Sequence, residues 1–382
     1  MKKKGSAFDK KSLELHYKYG GVFSVAGKMQ INNMADLGRV YTPGVGAVST
    51  FLSKHKEKTR EYTMKGNSVA VVSDGSAVLG LGNIGPEAAL PVMEGKCLLF
   101  KKFANIDAVP IVLATQDTEE IIRVVKAIAP AFGGINLEDI SAPRCFEIEE
   151  RLKRELAIPV MHDDQHGTAI IILAGLTNAL KVAHKKITGV KIVLSGAGAA
   201  GTAIVKMLIR AGAKNILVVD RQGIIHKKRK GLTSEKKKIA STTNKRNEKG
   251  DMKKAFLGAD VFIGVSGPNI VTPSMVASMN SESIVFSLAN PIPEIMPDVA
   301  RKAGAFIVAT GRGDFPNQIN NAQVFPGVFR GALDNHVRQI TDAMKIKAAY
   351  SIAKLIPHPN KTHIVPNIFD KRLVGVVAKA IR

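Results

Sequence analysis

Residues 191–201 read KIVLSGAGAAG, an apolar run that leads directly into a turn with three glycines. The apolar run predicts a buried strand, and the pattern over residues 202–211 predicts a helix. A second apolar run, at 216–219, ends on Asp220, nineteen residues after Gly201. A glycine-rich turn between a strand and a helix, with an acid at the end of the next strand, is typical of a dinucleotide-binding Rossmann unit.

Each glycine of this turn has a predicted physical role. Gly196 allows the tight turn, Gly198 lets the backbone approach a pyrophosphate, and Gly201 lets the helix pack closely on the strand. We expect Ala199 and Ala200 to belong to the cofactor site as well, because a helix N-terminus offers free N–H groups and a positive dipole end to phosphates. A glycine-rich turn that binds no ligand is the alternative.

The residues after the second strand bear on the choice of dinucleotide. Asp220 can accept hydrogen bonds from both ribose hydroxyls of NAD, and it would repel the 2′-phosphate of NADP. Arg221, next to it, could bind that phosphate instead. The sequence therefore favours NAD and leaves NADP as the alternative.

Short apolar runs alternate with helical patterns along the chain, which predicts βαβ units and a largely parallel sheet. In the first half, apolar runs lie at 69–73, 109–114, 135–137 and 158–161, with helical patterns at 85–96 and 118–128. In the second half, helices are predicted at 167–184, 331–349 and 373–381, and strands at 261–265, 283–288 and 305–309. The predicted fold class is α/β, with an N-terminal α/β domain at 1–164 and a Rossmann-type domain at 165–382 that includes the C-terminal helices.

The composition is that of a globular protein in a reducing compartment. No stretch reaches the roughly 18 apolar residues of a membrane-spanning helix, and the basic start of the chain lacks the apolar core of a secretory signal. The two cysteines, Cys97 and Cys145, form no Cys-x-x-Cys motif and are predicted to be buried. We therefore expect a cytoplasmic protein without a membrane partner.

The formal net charge is +23, and two explanations compete for it. Lysines and arginines could neutralise nucleic-acid phosphates, or they could lie dispersed on solvated faces. The lysines are scattered, and the chain has five Tyr and no Trp for base stacking. We therefore predict no nucleic-acid partner, and we interpret the most basic segment, 227–254, as a solvated loop and helix. Excess positive charge also attracts small dianions such as dicarboxylates.

Carboxylates follow two of the apolar runs. Glu138 and Asp139 end one run, and Asp163 and Asp164 end another, with His162 and His166 on either side. The ends of parallel strands are where ligands bind, and adjacent carboxylates repel each other unless a cation lies between them. Oxygen ligands without a thiolate favour Mg²⁺ or Mn²⁺, whereas histidine ligation would favour Zn²⁺ or Fe²⁺. Helix N-caps explain the same residues equally well by spacing alone.

Two further residues are candidates for acid–base chemistry. Lys96 lies in an apolar helical run, where burial and a nearby metal would favour the neutral form that serves as a general base. A lysine that extends to solvent from a buried helix is the alternative, and spacing alone favours it. Tyr41 lies in a turn that could present its hydroxyl, although most tyrosines are simply packed.

Taken together, these segments resemble the malic enzyme family, and the resemblance covers nearly the whole chain. The length is similar to that of the short prokaryotic members. The shared motifs, in chain order, are Tyr41-Thr42-Pro43-Gly44-Val45, Ser73-Asp74-Gly75, Leu79-Gly80-Leu81-Gly82-Asn83, Glu94-Gly95-Lys96, Leu137-Glu138-Asp139-Ile140, Asp163-Asp164-Gln165-His166-Gly167-Thr168-Ala169, the 196–201 turn, Ser287-Leu288-Ala289-Asn290-Pro291, Asn320-Asn321 and Val324-Phe325-Pro326-Gly327.

The resemblance implies oxidative decarboxylation of L-malate, a small dicarboxylate, to pyruvate and CO₂ with reduction of NAD(P). It implies Tyr41 as the general acid and Lys96 as the general base. It implies that Glu138, Asp139 and Asp164 bind Mn²⁺ or Mg²⁺.

The resemblance also implies roles around this centre. Asp163 would orient the metal ligands or the base, while Asn290, together with Asn320 or Asn321, would contact the substrate or the nicotinamide. The larger eukaryotic members carry an arginine that binds a substrate carboxylate where this chain has Ala77. In this chain another cation must neutralise that carboxylate. At least a homodimer is implied.

Three alternatives remain open at this point. A malolactic enzyme, which converts malate to lactate without net change in NAD, would use the same motifs. A lysine-dependent dehydrogenase of the amino-acid type would not need the carboxylates, and a nucleic-acid-binding protein on a Rossmann-like scaffold would bind in a salt-dependent way.

Overall fold

Two sheets of parallel strands organise the chain, and the computed structural model describes residues 7–382. Residues 1–6, part of the basic start used in the argument against a secretory signal, lie outside the described residues. The first sheet has the order β2-β1-β3-β4, and all of its strands are parallel. Its strands are β1 (Ser68–Ser73), β2 (Asp107–Val112), β3 (Gly134–Leu137) and β4 (Val160–His162).

Helices cover both faces of the first sheet because its central strand is buried on both sides. In β1, Val69 and Val71 pack with α5, and Ala70 and Val72 pack with α6 and α7. Such apolar strands are typical of parallel sheets. The helices of this half are α1 (Ala7–Tyr19), α2 (Met34–Val40), α3 (Gly44–Lys54), α4 (Thr59–Tyr62), α5 (Pro86–Ala104), α6 (Thr118–Ile128) and α7 (Arg144–Glu155).

The second sheet has the order β10-β9-β8-β5-β6-β7, and only β7 is antiparallel. The strand order reverses at β5, which is the place where ligands bind in open α/β sheets. Its strands are β5 (Lys191–Ser195), β6 (Asn215–Asp220), β7 (Gly223–Ile224), β8 (Val261–Gly264), β9 (Ile284–Ser287) and β10 (Ile307–Thr310). The predicted α/β class with a Rossmann-type second half is thereby confirmed.

The helices of the second half connect the two sheets. The rings of Phe325 and Phe329 of α14 pack at steep angles against the ring of Phe100 of α5, with centroids 4.7 and 5.5 Å away, so the end of the chain packs against the first half. These helices are α8 (Asp163–Val182), α9 (Ala199–Arg210), α10 (Ser234–Thr242), α11 (Met252–Phe256), α12 (Pro273–Ala277), α13 (Pro297–Lys302), α14 (Phe325–Asp334), α15 (Asp342–Lys354) and α16 (Leu373–Ala380).

Two sequence predictions of helices need correction. The predicted single helix at 331–349 is two helices, because His336 has a left-handed backbone (φ 50°) that ends α14 and Thr341 caps the start of α15. The predicted helix at 167–184 begins four residues earlier, at Asp163, so the carboxylates of 163–164 lie in its first turn. Their charge is favourable there because of the helix dipole.

Cys97 and Cys145 are buried free thiols, as predicted. Among residues 7–382, no helix combines the length and the apolar character that crossing a membrane requires.

Candidate active site

Three carboxylates converge where β3 and β4 end side by side. Glu138 and Asp139 directly follow β3, and Asp164 lies in the first turn of α8. Each of the three offers an oxygen, and these oxygens all lie within 4.8 Å of one another. The Asp139 N–H donates to Asp164 Oδ2 over 2.8 Å, and Ala77 N–H donates to the Asp139 carbonyl over 2.9 Å. The loop after β1 therefore fixes the backbone of this cluster.

The chemistry of this cluster fits a divalent cation. Burial raises the pKa of Glu138, Asp139 and Asp164, and repulsion among the three carboxylates adds to the effect. Asp139 Oδ2 is buried and has no hydrogen-bond partner. Unsatisfied carboxylate oxygens facing one another match the hard oxygen ligands that Mg²⁺ and Mn²⁺ prefer.

Lys96 of α5 lies directly beside the cluster. Its Nζ contacts Glu138 Oε2, lies 2.5 Å from Asp163 Oδ2 and stands 4.4 Å above the ring of Phe325. The side chain is 7% exposed, so this lysine does not extend to solvent. Burial lowers the pKa of Lys96, but Asp163, Glu138 and Asp164 together raise it more, so the net shift is upward.

Asp163 connects Lys96 to the second half of the chain. Its Oδ2 also accepts from Asn321 Nδ2 over 2.7 Å, while its Oδ1 is buried without a partner. A Cβ at Gly167, one turn along α8, would overlap Asp163 Oδ1, so only glycine fits there. Asp163 and Asp164 thus differ in direction: one faces Lys96 and Asn321, and the other faces Asp139.

The remaining two predicted asparagines have different surroundings. Asn320 is the N-cap of the short 3₁₀ helix at Asn321–Gln323, where its Oδ1 accepts from Ala322 N–H over 2.9 Å. Asn290 is exposed and precedes a cis peptide to Pro291. A Cβ at Gly80 of the first half would overlap the Asn290 carbonyl, so these two loops meet across the sheets.

Some polar residues of the site were not identified from the sequence. Asn136 Nδ2 donates to Glu138 Oε2 over 3.0 Å, and its position inside a buried apolar run was the available signal. Glu149 of α7 accepts from His162 N–H and from Gln165, at 3.1 and 3.2 Å. It also pairs with His166 Nε2 at 2.9 Å. Because His166 is engaged in this way, it is not directed at the carboxylate cluster.

Glu294 is a second buried carboxylate that the sequence did not reveal. It is fully buried, and it accepts from Ser266 N–H at 3.0 Å and from Ala289 N–H and Ser287 Oγ, both at 3.1 Å. Burial raises the pKa of Glu294, although these donors oppose the shift. The contacts tie the ends of β8 and β9 together and so fix the loop that carries Asn290.

The glycine turn has the geometry that its sequence predicts. Gly196 has φ 113°, and a Cβ there would lie 2.7 Å from the Val265 carbonyl. A Cβ at Gly201 would overlap the Gly196 carbonyl, whereas a Cβ at Gly198 would meet nothing within 4 Å. Gly198 is the N-cap of α9, where no side chain caps the free N–H groups of the first turn. These groups remain available to an anion.

Asp220 ends β6 but is not a free acceptor. It receives Arg229 Nη1 at 2.9 Å, Lys236 Nζ at 2.7 Å and Gln222 N–H at 2.9 Å, and it also pairs with Arg229 Nη2. Burial raises the pKa of Asp220, but the bonds from Arg229 and Lys236 lower it to about 2 overall. Two cations of the segment interpreted as solvated, 227–254, therefore neutralise this acid.

Tyr41 forms no hydrogen bond or ion pair with these groups in the described part of the chain. It follows α2, its side chain is 66% exposed, and it makes no side-chain hydrogen bond within the described residues. No residue of α2 or α3 is buried.

Ala77 is the position at which the resemblance expects an arginine. It lies next to Ser76, whose Oγ accepts a hydrogen bond from Arg144 Nη2 over 3.0 Å. A guanidinium thus lies beside this loop.

The family models that match the chain cover most of it. Residues 22–153 match the model described as the N-terminal domain of malic enzyme, and residues 165–381 match the model of its NAD-binding domain.

Individual relatives agree along nearly the whole chain. An NAD-dependent malic enzyme of Geobacillus stearothermophilus is 54% identical over 95% of this chain and 76% of its own length. A bifunctional malic/malolactic enzyme of Bacillus subtilis is 51% identical over 97% of this chain and 91% of its own length. The crystal structure of an NAD-dependent malic enzyme from Thermotoga maritima has a TM-score of 0.94 at 49% identity and covers 97% of this chain and 98% of that one. Since both domain models match in order and such relatives align over most of their length, the chain belongs to the malic enzyme family.

Proposed function

We propose that the protein catalyses the oxidative decarboxylation of L-malate to pyruvate and CO₂ with reduction of NAD or NADP. The observation that carries this proposal is the buried cluster of Glu138, Asp139 and Asp164 with the Lys96 ammonium against it. The match to NAD(P)-dependent malic enzymes supports the same reaction. We also propose the domain division at 1–164 and 165–382, which places the last strand of the first sheet and the last metal ligand in the first domain.

Glu138, Asp139 and Asp164 are the proposed ligands of Mn²⁺ or Mg²⁺. A divalent cation held there would supply Lewis acidity toward the oxygens of malate and toward the negative charge that decarboxylation leaves. A dinucleotide held at the 196–201 turn would supply the hydride acceptor. The short bond from Asp139 N–H to Asp164 keeps the ligand oxygens together before any cation binds.

Lys96 is the proposed general base, because its Nζ is the basic group next to the ligand cluster. It accepts the proton of the C2 hydroxyl as the carbonyl forms. A cation held by the carboxylates would cancel their upward effect on the pKa of Lys96. The remaining effect would be burial, which lowers the pKa and favours the neutral amine. Asp163, itself held by Asn321, fixes the direction of the Lys96 side chain.

Tyr41 is the proposed general acid that protonates C3 after CO₂ has left. Since its side chain is exposed in the single chain, we propose that a second copy of the chain provides it, in a homodimer or a higher oligomer. Residues 13–51 carry a series of exposed large apolar side chains that would be covered in such an assembly: Leu13, Leu15, Tyr17, Tyr19, Val25, Met29, Ile31, Met34, Val45, Val48 and Phe51.

The proposed cofactor is NAD, and NADP is accepted as well. Arg229 and Lys236 occupy the oxygens of Asp220 and cancel the negative charge that would repel a 2′-phosphate. Asn290 is proposed to contact the nicotinamide or the substrate, since Glu294 fixes its loop. For Asn320 and Asn321, the contacts with the 3₁₀ helix and with Asp163 support a positioning part in the same site.

The reaction is tested by supplying L-malate with NAD or NADP in the presence of Mn²⁺ or EDTA. We expect reduced dinucleotide, pyruvate and CO₂ to form together with Mn²⁺, and the rate to fall at least about 100-fold in EDTA. Lactate without reduced dinucleotide would instead indicate a malolactic enzyme. Malate oxidation that persists in EDTA would contradict the metal site.

Lys96→Ala should lower the turnover of malate at least about 100-fold, because no other group takes the hydroxyl proton. The variant should still bind NADH, as measured by the nicotinamide fluorescence. Lys102→Ala, an exposed lysine on the same helix, is the matched control and should retain full activity. Full turnover in the Lys96 variant would exclude its role as the base.

A mixed oligomer tests the origin of Tyr41. Tyr41→Phe and Lys96→Ala are co-expressed with different tags, and the species that carries both tags is purified. If each Tyr41 serves the neighbouring copy, one site of the mixed dimer has both wild-type residues, and about half of the wild-type turnover returns. No recovery would mean that Tyr41 acts within its own chain, and unchanged turnover in the Tyr41→Phe homo-oligomer would exclude its role.

Gly198→Ala tests the dinucleotide turn without disturbing the fold. The added methyl meets no protein atom within 4 Å, so the melting temperature should stay within about 2 °C of wild type. Binding of NADH should weaken at least about tenfold, because the pyrophosphate approaches this backbone. Gly375→Ala, which also meets open space but lies in α16, should leave binding unchanged. Equal binding in both variants would contradict the proposed position of the cofactor.

A further inference from the structure

A groove of about 920 Å³ lies between the two halves of the protein, on the outer side of α9. Its walls are the exposed faces of α7 from the first half and α10 from the second, and the start of α15 closes one end. The groove has the size of a small-molecule site. The glycines at 196–201, Asp220 and the metal-ligand carboxylates do not line it, so it is separate from the proposed cofactor and substrate sites.

Positive charge dominates this groove. Eight lysines and arginines line it against five acids. Four of the cations, on three different helices, have no acidic partner within 4 Å in the described part of the chain: Lys153, Arg154, Lys206 and Lys238. By contrast, Arg151 pairs with Glu119 and Glu147, and Arg210 pairs with Asp342. The unpaired cations therefore line the groove from α7, α9 and α10 and attract a multiply charged anion.

A buried lysine contributes its ammonium group to the lining of the groove. Lys345 of α15 is 1% exposed, and its Nζ lies 3.1 Å from His166 Nδ1 and 3.2 Å from Asp342 Oδ1. An ammonium has three N–H donors, so one is left for a further acceptor. Lys153 adds a second positive charge to the lining of the same groove. A buried charge of this kind gains from an anion that replaces lost water.

We propose that this groove binds a small polyanion with at least three negative charges, carried by phosphate or carboxylate groups. Lys206 and Lys238 hold it from the second half, Lys153 and Arg154 hold it from the first half, and Lys345 contacts its innermost group. An anion bound in this way bridges α7 to α9 and α10 and so fixes the position of the two halves relative to each other. This inference does not depend on the reaction that the protein catalyses.

The groove also has a physical connection to the carboxylate cluster. Lys345 contacts His166, which pairs with Glu149, and Glu149 accepts the N–H of His162 at the end of β4. Asp164 lies two residues before His166 in the first turn of α8. An occupied groove is therefore expected to change the activity of the holoenzyme.

The test is calorimetric titration of tripolyphosphate and of citrate into the full chain saturated with NADH and free of added Mn²⁺, because both probes chelate divalent cations. Saturation prevents either probe from binding at the proposed cofactor turn. We expect a dissociation constant below about 1 mM at moderate salt, with weaker binding as ionic strength rises. The comparison of the two probes decides between a phosphate and a carboxylate ligand.

Paired variants distinguish the groove from the general positive charge of the protein. Lys206→Ala with Lys238→Ala should weaken binding at least about tenfold. Lys214→Ala with Lys302→Ala removes two exposed lysines outside the groove and should change binding less than about twofold. The single variants Lys206→Ala and Lys238→Ala are measured as well, in case the double variant does not fold.

Two results would overturn the proposal. One is the absence of binding of both probes at 1 mM in the protein saturated with NADH. Binding that is seen only when NADH is left out counts as this result, since it would lie at the proposed cofactor turn. The other is an equal loss of affinity in the groove variants and in the Lys214 and Lys302 control, which would show that the anions follow the overall charge.

Discussion

The contact of the Lys96 ammonium with the carboxylates of Asp163 and Glu138 is the interaction on which the site depends. Removing charges from water is costly, and an unpaired buried charge costs much more than a paired one. Three elements must therefore be in place together: α5, the end of β3 and the start of α8. The packing of Phe325 and Phe329 against Phe100 holds α5 in this position. The carboxylate cluster and the packing of the two halves thus depend on each other.

Buried carboxylates outside the cluster act in the same way on the surrounding loops. Glu149 holds the end of β4 and the first turn of α8, while Glu294 joins the ends of β8 and β9. Both side chains accept several donors, and this compensates for the loss of water. The loops that surround the proposed substrate and nicotinamide positions are therefore fixed by side chains that do not touch either ligand. By contrast, no residue of α2 or α3 is buried, and Tyr41 lies between these two helices.

Much of the fold could be predicted from periodicity, because most strands are short apolar runs and most helices bury one face. The prediction was wrong where a single residue decides the outcome. The left-handed backbone of His336 interrupts the predicted helix at 331–349. No proline or glycine stands at this position to indicate a break. The start of α8 was placed too late because Asp163 and Asp164 favour a cap in isolation, whereas β4 runs to His162 and α8 begins at the next residue.

The sequence by itself determined the dinucleotide turn, the order of strands and helices, and the carboxylates at two strand ends. These features depend on neighbouring residues and on the spacing of apolar residues along the chain. The tertiary structure alone decided which of these groups meet. Lys96 and Asp163 are 67 positions apart, and Asn321 reaches Asp163 across 158 positions. The neutralisation of Asp220 by Arg229 and Lys236, and the exposure of Tyr41, could not be predicted from the sequence either. Such contacts depend on how remote elements pack, and no local pattern of residues encodes that packing.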